Sequence, residues 1–248
     1  MTVPRAALVA TIAFGATLLG SLSGGSTSLL TTPVWLAMGF PLPAAVAADK
    51  MAGTFWTVVG ARNYLRGRPV DRGLLVSMIL LGIIGAVAGA KFTSSVNPER
   101  LKRVVGGAIV IVVAAIALRP RIGAVPSEPR LSRPVVIAAA LLLGFYEGVF
   151  GSGNTIMTSM LLTFGRGFDL LTALGHYYAM ASAWCAMAAF SYWRAGHLDW
   201  TLAWPVTAGA VAGGYLGSRL AARFGSAVVR GIFIVAGLGL GAKLLFGW

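Results

Sequence analysis

Residues Gly20–Pro33, GSLSGGSTSLLTTP, interrupt an otherwise apolar N-terminal region with glycines and hydroxyl side chains. A second stretch of the same character, GVFGSGNTIMT, occupies Gly148–Thr158. Glycine permits local unwinding and close approach of the backbone to a ligand, and hydroxyls can bond the amides that a helix break exposes. The two stretches begin 128 positions apart (148 − 20), and this offset organises the whole sequence.

The composition is that of a membrane protein. Hydrophobic residues make up 57% of the chain and charged residues 11%, with a mean hydropathy of +0.82. A soluble domain carries about 25% charged residues. Apolar runs approach the ~20 helical residues needed to cross a bilayer core of ~30 Å, and they recur along the chain. We therefore predict an all-α, polytopic membrane protein.

The net charge of +13 does not indicate a nucleic-acid partner. The Lys and Arg residues lie mostly between apolar segments, where they fit orientation signals and contacts with lipid headgroups. Cys185 is the single cysteine, which excludes a disulfide framework or a thiolate metal site. No phosphate-binding loop, zinc-protease motif or cysteine–histidine spacing occurs. We expect no cofactor, no metal and no enzyme activity.

Apolar segments predict ten helical elements, five on each side of a linker rich in Pro and Arg. They lie at 5–20, 26–40, 44–62, 73–96, 101–118, 134–147, 154–165, 170–192, 200–220 and 226–246. We divide the chain into an N-terminal transmembrane repeat (1–118), a linker (119–133) and a C-terminal transmembrane repeat (134–248). Arg5 before the first run superficially resembles a signal peptide, but Arg133 opens an equivalent run in mid-chain, so residues 5–20 belong to the fold.

Sliding the second half onto the first by 128 residues aligns distinctive side chains without a gap. The matches include Arg5/Arg133, Gly25/Gly153, Thr27/Thr155, Trp56/Trp184, Tyr64/Tyr192, Arg66/Arg194 and Asp71/Asp199. Chance rarely places Trp, Tyr, Arg and Asp together in register, so we infer an internal duplication. Duplication is the usual ground plan of secondary transporters.

The orientation of the two repeats depends on the short first two segments of each half. If these form a Gly/Ser-broken hairpin that dips into the membrane and returns, about three transmembrane helices follow and the repeats are inverted. If both segments cross fully, the repeats run parallel. We favour inversion, because short segments with matching Gly/Ser interruptions are its best sequence signal.

The two breaks are the main candidates for a binding site. A helix that starts after a break presents free backbone N–H groups and the positive end of its dipole, which suit an anion. The alternative is that small residues merely allow close helix packing. The candidate residues of the breaks are Gly24, Gly25, Ser26, Thr27, Ser28, Gly151, Ser152, Gly153, Asn154 and Thr155.

Charged residues inside apolar segments are the second group of candidates. Lys50 is embedded in its segment and follows Asp49, and an embedded charge normally faces a partner or a watery cavity. We interpret Lys50 as an anion ligand; the alternative is a lysine that extends to the interface. Asp49, Glu147 and His176 are candidates for proton coupling. Glu147 equally fits a structural hydrogen bond or an ion pair, for instance with Lys50.

Aromatic residues next to the breaks complete the predicted site. Tyr177 and Tyr178 follow His176 and can donate hydrogen bonds to a substrate, and Trp56 and Trp184 can wall the pocket. Core or lipid-facing packing is the alternative for the two tryptophans. Asp71 and Asp199 precede helices and fit N-caps.

The same residues resemble a known family. Each glycine-rich break is followed by a Gly-Phe turn, and the connections read NYLRGRPVD at 63–71 and SYWRAGHLD at 191–199. Gly-x-x-x-Gly pairs follow at Gly85/Gly89 and Gly213/Gly217. This pattern resembles the TauE/SafE sulfite exporter family, also called the toluenesulfonate uptake permease family, over almost the whole chain. Asp49-Lys50-Met51 departs from the Ala/Thr-Asn type of sequence expected there.

The resemblance implies a secondary transporter of sulfite or organosulfonates such as sulfoacetate, in the bacterial inner membrane. We expect an exporter coupled to protons or another ion. The alternatives are an anion channel, a permease for carboxylates or other organic anions, and a membrane-embedded enzyme. The expected partners are the small anion and membrane lipids. For the Gly-x-x-x-Gly pairs, a homodimer contact is the minor alternative to packing within the subunit.

Overall fold

The computed structural model describes residues 3–23, 27–93, 110 and 126–246. This part of the chain contains helices and connecting turns, and none of it forms a strand. The predicted element at 101–118, apart from residue 110, and the first part of the predicted linker lie outside the described residues. The last residue of that linker, Arg133, is the first residue of a helix.

Eight helices make up the described part. Their bounds are α1 Val3–Ser23, α2 Ser28–Ala37, α3 Leu42–Leu65, α4 Arg72–Phe92, α5 Arg133–Val149, α6 Asn154–Arg166, α7 Leu170–Arg194 and α8 Trp200–Phe246. The backbone of α8 is non-helical at Gly225, where φ is 81° and ψ is 166°. The two segments predicted at 200–220 and 226–246 therefore meet at this kink.

Helix ends follow local chemistry. The side chain of Asp71 accepts a hydrogen bond from the Leu74 amide at 3.0 Å, and Asp199 accepts one from the Thr201 amide at 2.8 Å. These contacts satisfy amides that have no partner within the helix, so both predicted N-caps are confirmed. Gly39 and Gly167 follow α2 and α6 with φ of 88° and 71°. Glycine adopts this left-handed conformation without strain.

The helices pack in a crossed pattern. α1 lies against α8 and α4 against α5, while α3 contacts both α7 and α8. The backbones approach closely at glycine: a Cβ on Gly85 would lie 2.1 Å from the carbonyl oxygen of Leu141, and one on Gly213 would lie 2.2 Å from that of Phe14. Only a residue without a side chain fits there. In this structure the glycine pairs serve packing within the subunit.

The outer surface suits lipid. Two described helical stretches, Val3–Leu22 and Arg72–Phe92, are long and apolar enough to cross a membrane by length and composition. Large apolar side chains point outward along the helices, including Leu80 at 61% exposure and Leu142 at 72%. Contiguous exposed apolar surface of this kind marks a membrane or protein contact.

Substituting Gly85 tests the close packing of α4 on α5. Gly85→Ala brings its Cβ against backbone that cannot move independently, and overpacking of this kind costs about 1–3 kcal/mol. Gly15→Ala on α1 is the matched control, because nothing lies within 4 Å of a Cβ there. We expect Gly85→Ala to lower the unfolding temperature in detergent and Gly15→Ala to leave it unchanged or raise it. Equal behaviour of the two variants would contradict the packing.

Candidate functional site

A partly enclosed cavity lies between α1, α2, α3, α5, α7 and α8. It contains about 540 Å³ of space between atoms, including the part that opens outward. Its lining mixes polar side chains with small or apolar ones, and the polar groups concentrate at the two breaks and on α3. The lining residues are Ala13, Thr17, Thr27, Ser28, Thr31, Asp49, Lys50, Ala52, Gly53, Trp56, Thr57, Glu147, Gly151, Thr155, Tyr177, Ala181, Cys185, Val206 and Ala210.

The two breaks meet at this cavity. The hydroxyl oxygens of Ser28 and Ser152 lie 3.0 Å apart and share a hydrogen bond, and both Thr27 and Thr155 line the cavity. Residues 24–26 of the first break lie outside the described residues. The second break connects α5 to α6 through Gly151 and Gly153, with φ of 75° and 85°. Glycine is the residue that adopts such angles readily.

An ion pair between the two halves of the chain stands at the centre of the site. The ammonium of Lys50 on α3 lies 2.6 Å from Oε1 of Glu147 on α5. The two residues are only 3% and 4% exposed. Lys50 Nζ also reaches the carbonyl oxygen of Phe150 at 3.4 Å. An ammonium has three N–H donors, so one donor has no partner among these contacts.

Glu147 is held on both oxygens. Its Oε2 accepts hydrogen bonds from Asn154 Nδ2 at 2.6 Å and from the Tyr177 hydroxyl at 3.1 Å. Asn154 is the first residue of α6, so the break brings the start of this helix against the carboxylate. A buried ion pair needs such additional hydrogen bonds to offset the loss of hydration.

Gly151 makes room for the ion pair. A Cβ at this position would lie 2.2 Å from Lys50 Nζ and 2.6 Å from Glu147 Oε1. Its positive φ independently disfavours other residues. Gly151 therefore allows the chain to turn and also leaves space for the Lys50–Glu147 ion pair.

Asp49 occupies a different environment from Glu147. The hydroxyls of Thr31 and Thr32 donate to its Oδ2 at 2.9 and 2.8 Å, and the indole N–H of Trp35 donates to Oδ1 at 3.0 Å. Asp49 is half-buried and lines the cavity. Among the described Lys and Arg side chains, none forms an ion pair with it.

Two hydroxyls at the cavity have no protein partner within the described part of the chain. These are Oγ1 of Thr17, a fully buried residue on α1, and Oγ1 of Thr27. Buried polar groups in native proteins are nearly always hydrogen-bonded to protein or ordered water. Both residues line the cavity, so these hydroxyls are the unpartnered donors nearest to hand for a water molecule or a ligand there.

Several predicted residues lie elsewhere. His176 does not line the cavity: its Nδ1 lies 2.8 Å from the Thr172 carbonyl oxygen, and its Nε2 accepts from the Asp71 amide at 3.2 Å. It instead holds the connection between α3 and α4. Trp184 is fully buried and donates to the Ile79 carbonyl oxygen at 3.2 Å.

Tyr178 also lies away from the lining. Its ring packs against Trp56, Tyr64 and Tyr177. Ser152, Gly153 and Asn154 form the layer behind the cavity wall, where they shape the second break. The expectation that every candidate faces one pocket is thus corrected for six residues outside the described lining, namely Ser152, Gly153, Asn154, His176, Tyr178 and Trp184.

Sequence reasoning missed four polar lining residues: Thr17, Thr31, Thr57 and Cys185. The last two are related by the repeat offset (185 − 57 = 128), which was a usable signal. Cys185 Sγ lies 3.5 Å from Glu147 Oε1. Thr17 stands in an apolar helix, and its sequence context does not mark it.

An all-helical chain with an apolar exterior and a polar cavity at paired helix breaks has the features of a membrane transport protein. Residues 9–244 match the profile of the family described as Sulfite exporter TauE/SafE, and the chain belongs to that family. This confirms the resemblance drawn from the breaks and turns.

Curated relatives carry matching names. A "Probable membrane transporter protein ORF9" of Sinorhizobium sp is 27% identical, over 94% of this chain and 89% of its own length. A "Probable membrane transporter protein" of Haemophilus influenzae is 23% identical over 98% and 96%. "Probable membrane transporter protein YfcA" of Escherichia coli K12 is 23% identical over 95% and 87%. No solved structure matches the chain. The chain is a membrane transporter of this family.

A double-mutant cycle tests the central ion pair. Lys50→Met or Glu147→Met alone leaves one buried charge without its partner, which costs about 3–5 kcal/mol of unfolding free energy. Lys50→Met combined with Glu147→Met removes both charges, and we expect it to cost less than the sum of the single changes. Unfolding in detergent micelles provides the measurement.

Arg66→Met is the control for removing a cation, because Arg66 is exposed; a surface change of this kind stays within about 0.5 kcal/mol. Strictly additive effects at Lys50 and Glu147 would show that the two side chains do not interact.

Proposed function

We propose that this chain is a secondary transporter of small sulfur-containing anions, namely sulfite or organosulfonates such as sulfoacetate, which bind in the cavity. The observation that carries the proposal is that the Lys50 ammonium and the unpartnered hydroxyls of Thr17 and Thr27 line one cavity, where the two breaks meet. The family's description as a sulfite exporter supports the choice of substrate class.

The donors in the cavity suit an oxyanion. Lys50 keeps one N–H beyond its contacts with Glu147 and Phe150, and the hydroxyls of Thr17 and Thr27 have no protein acceptor. A sulfite or sulfonate group presents three oxygens, each of which can accept hydrogen bonds. Hydrogen bonds to a charged group contribute about 1.5–3 kcal/mol each. A few such donors can therefore bind the anion without a pair of arginine side chains.

A carboxylate would find the same donors, and a channel could use the same cavity. The two classes of anion differ in the number and geometry of their oxygens, which a ligand screen detects. A carrier saturates with substrate, whereas a channel conducts in proportion to the gradient over a wider range. Flux measurements therefore separate the two transport modes.

We propose that the two halves are inverted repeats. α3 and α7 begin at Leu42 and Leu170, which are 128 residues apart (170 − 42), and α4 and α8 begin at Arg72 and Trp200 with the same offset. The reciprocal packing of α1 on α8 and α4 on α5 supports this relation.

The first helix α1 has 21 residues and is long enough to cross a membrane, contrary to the short segment expected there. The second helix of each half is short, which favours inversion over a parallel arrangement. α2 has 10 residues and α6 has 13, so each spans roughly 15–20 Å at 1.5 Å per residue. This is less than the ~30 Å bilayer core. If each hairpin enters and leaves on one side, each half crosses the membrane an odd number of times.

The proposed location is the bacterial inner membrane, since the named relatives come from bacteria and the chain is helical. The proposed direction is export, in line with the family's description. A carrier is reversible, so net movement follows the combined gradients of the anion and of any coupled ion.

The experiment that tests the function is a thermal-shift screen of the purified protein against sulfite, sulfate, taurine, sulfoacetate and simple carboxylates. A ligand that binds only the folded state raises the unfolding temperature by mass action. The anions that bind are then tested for saturable flux in liposomes. Stabilisation by carboxylates alone would reassign the substrate class, and no stabilisation by any anion would contradict the proposal.

Thr17→Val separates ligand binding from stability. The hydroxyl has no partner in the described part of the chain, so its removal leaves the unfolding temperature of the free protein unchanged or higher. If the hydroxyl donates to a bound anion, the affinity falls roughly tenfold to a hundredfold. Isothermal titration with the anion from the screen measures the change.

Thr11→Val is the matched control on the same helix, because Thr11 is exposed and its hydroxyl bonds the Ala7 carbonyl oxygen. Equal affinities of Thr17→Val and Thr11→Val would place the anion away from Thr17.

A further inference from the structure

The charges around the cavity do not balance for an anion. Two carboxylates, Asp49 and Glu147, and one ammonium, Lys50, line it, which gives a formal charge of −1 when all are ionised (+1 − 2). A bound monoanion would bring the total to −2 in a poorly hydrated site. Like charges repel strongly where the dielectric constant is low. Anion binding therefore calls for a compensating positive charge.

Glu147 is unsuited to accept that charge as a proton. Its Oε1 faces the Lys50 ammonium and its Oε2 faces the amide nitrogen of Asn154, and both of these groups can only donate. The Asn154 amide is fixed in this orientation, since its Nδ2 also donates to the Leu143 carbonyl oxygen at 3.1 Å. A proton on Oε1 would oppose the Lys50 ammonium. On Oε2 the Tyr177 hydroxyl at 3.1 Å can turn to accept a proton, but the Asn154 amide, which only donates, lies closer at 2.6 Å.

Asp49 is suited to bind a proton. Its Oδ2 is contacted by the hydroxyls of Thr31 and Thr32, and a hydroxyl can rotate from donor to acceptor. Trp35, which can only donate, holds Oδ1. The arrangement satisfies a carboxylate and equally a carboxylic acid with its proton on Oδ2. Asp49 is also more exposed to the cavity than the nearly sealed Lys50 and Glu147.

We propose that Asp49 takes up one proton, on Oδ2, with each anion that binds, so that anion and proton are transported together. The proton comes from the aqueous phase and converts the carboxylate to the acid; no other bond changes. This inference rests on the proposed anion transport and adds its coupling ion.

The titratable side chains that share the cavity with Asp49 are Lys50 on α3, Glu147 on α5, and Tyr177 and Cys185 on α7. In the described lining, α1, α2 and α8 contribute no titratable side chain. Lys50 is engaged by Glu147, and the phenol and thiol are neutral near neutral pH. Asp49 is thus the group whose change of charge can accompany the anion.

The coupling has an electrical consequence. A singly charged anion and one proton together carry no net charge, so the membrane potential does not drive or oppose their joint movement. A pH difference across the membrane acts on it instead. Where the cytoplasm is the more alkaline side, the coupled proton opposes export, so net export needs a larger outward gradient of the anion. Asn at position 49 keeps the shape of the acid but cannot exchange a proton, so transport by Asp49→Asn becomes sensitive to the potential.

The test is isothermal titration of the full-length protein with methanesulfonate, which stays a monoanion throughout, in buffers of different ionisation enthalpy and over a range of pH. Sulfite, whose own proton equilibrium lies near neutral pH, is titrated only to establish binding. We expect wild type to take up about one proton per anion, and its dissociation constant to rise by a factor of about ten per pH unit where Asp49 is ionised. Asp49→Asn is expected to bind with no proton uptake and a constant affinity. The exposed Glu128 provides the control Glu128→Gln, which should behave as wild type.

Each outcome decides the proposal. Anion binding by wild type without proton uptake overturns the coupling and leaves the proposed transport function intact. Full proton uptake by Asp49→Asn overturns the assignment to Asp49. Absence of saturable binding of either anion by wild type overturns the transport proposal and the coupling with it.

A second measurement needs no variant, which matters if Asp49→Asn does not fold. The infrared difference spectrum of wild type should gain the carbonyl band of a protonated carboxylic acid when the anion binds. A spectrum without that band overturns the proposal.

Discussion

The interior of this transporter depends on a buried ion pair in which each charge needs the other. Lys50 and Glu147 meet at 2.6 Å, almost fully shielded from solvent. Each charge alone would be costly inside a membrane protein, so α3 and α5 must stay in contact. Because the two residues belong to opposite halves of the chain, the pair also links the halves at the place where a substrate would bind.

The second helix break is explained by this pair. The helix α5 ends at Val149, two residues after Glu147. The chain then turns through Gly151 and starts α6 at Asn154, whose amide returns to the Glu147 carboxylate. A continuous helix would carry Asn154 onward along its axis. The break thus supplies a hydrogen bond to the ion pair, leaves space for the ammonium beside Gly151, and exposes polar groups to the cavity. One irregular segment serves stability and the proposed function together.

The sequence predicted much of this arrangement, and its errors at Trp184 and Thr17 have physical reasons. The repeat offset located both breaks, and Lys50 stood out as a charge in an apolar segment. The offset also implied that Trp184 serves as Trp56 does, yet only Trp56 lines the cavity. Positions related by the repeat offset need not share surroundings. The charged residues Asp49 and Lys50, for example, correspond to Tyr177 and Tyr178 in the second half. In a helix that is apolar on every side, hydrophobic periodicity does not show which face points to a cavity. Thr17 was missed for this reason.

The most direct test of the account is the reactivity of Cys185, the single cysteine of the chain, which lines the cavity beside Glu147. Mass spectrometry follows its modification by a small neutral thiol reagent as the concentration of methanesulfonate rises. The account predicts that the anion slows the modification, with half-protection at the dissociation constant found by calorimetry. Modification at an unchanged rate under saturating anion would contradict an anion site in this cavity.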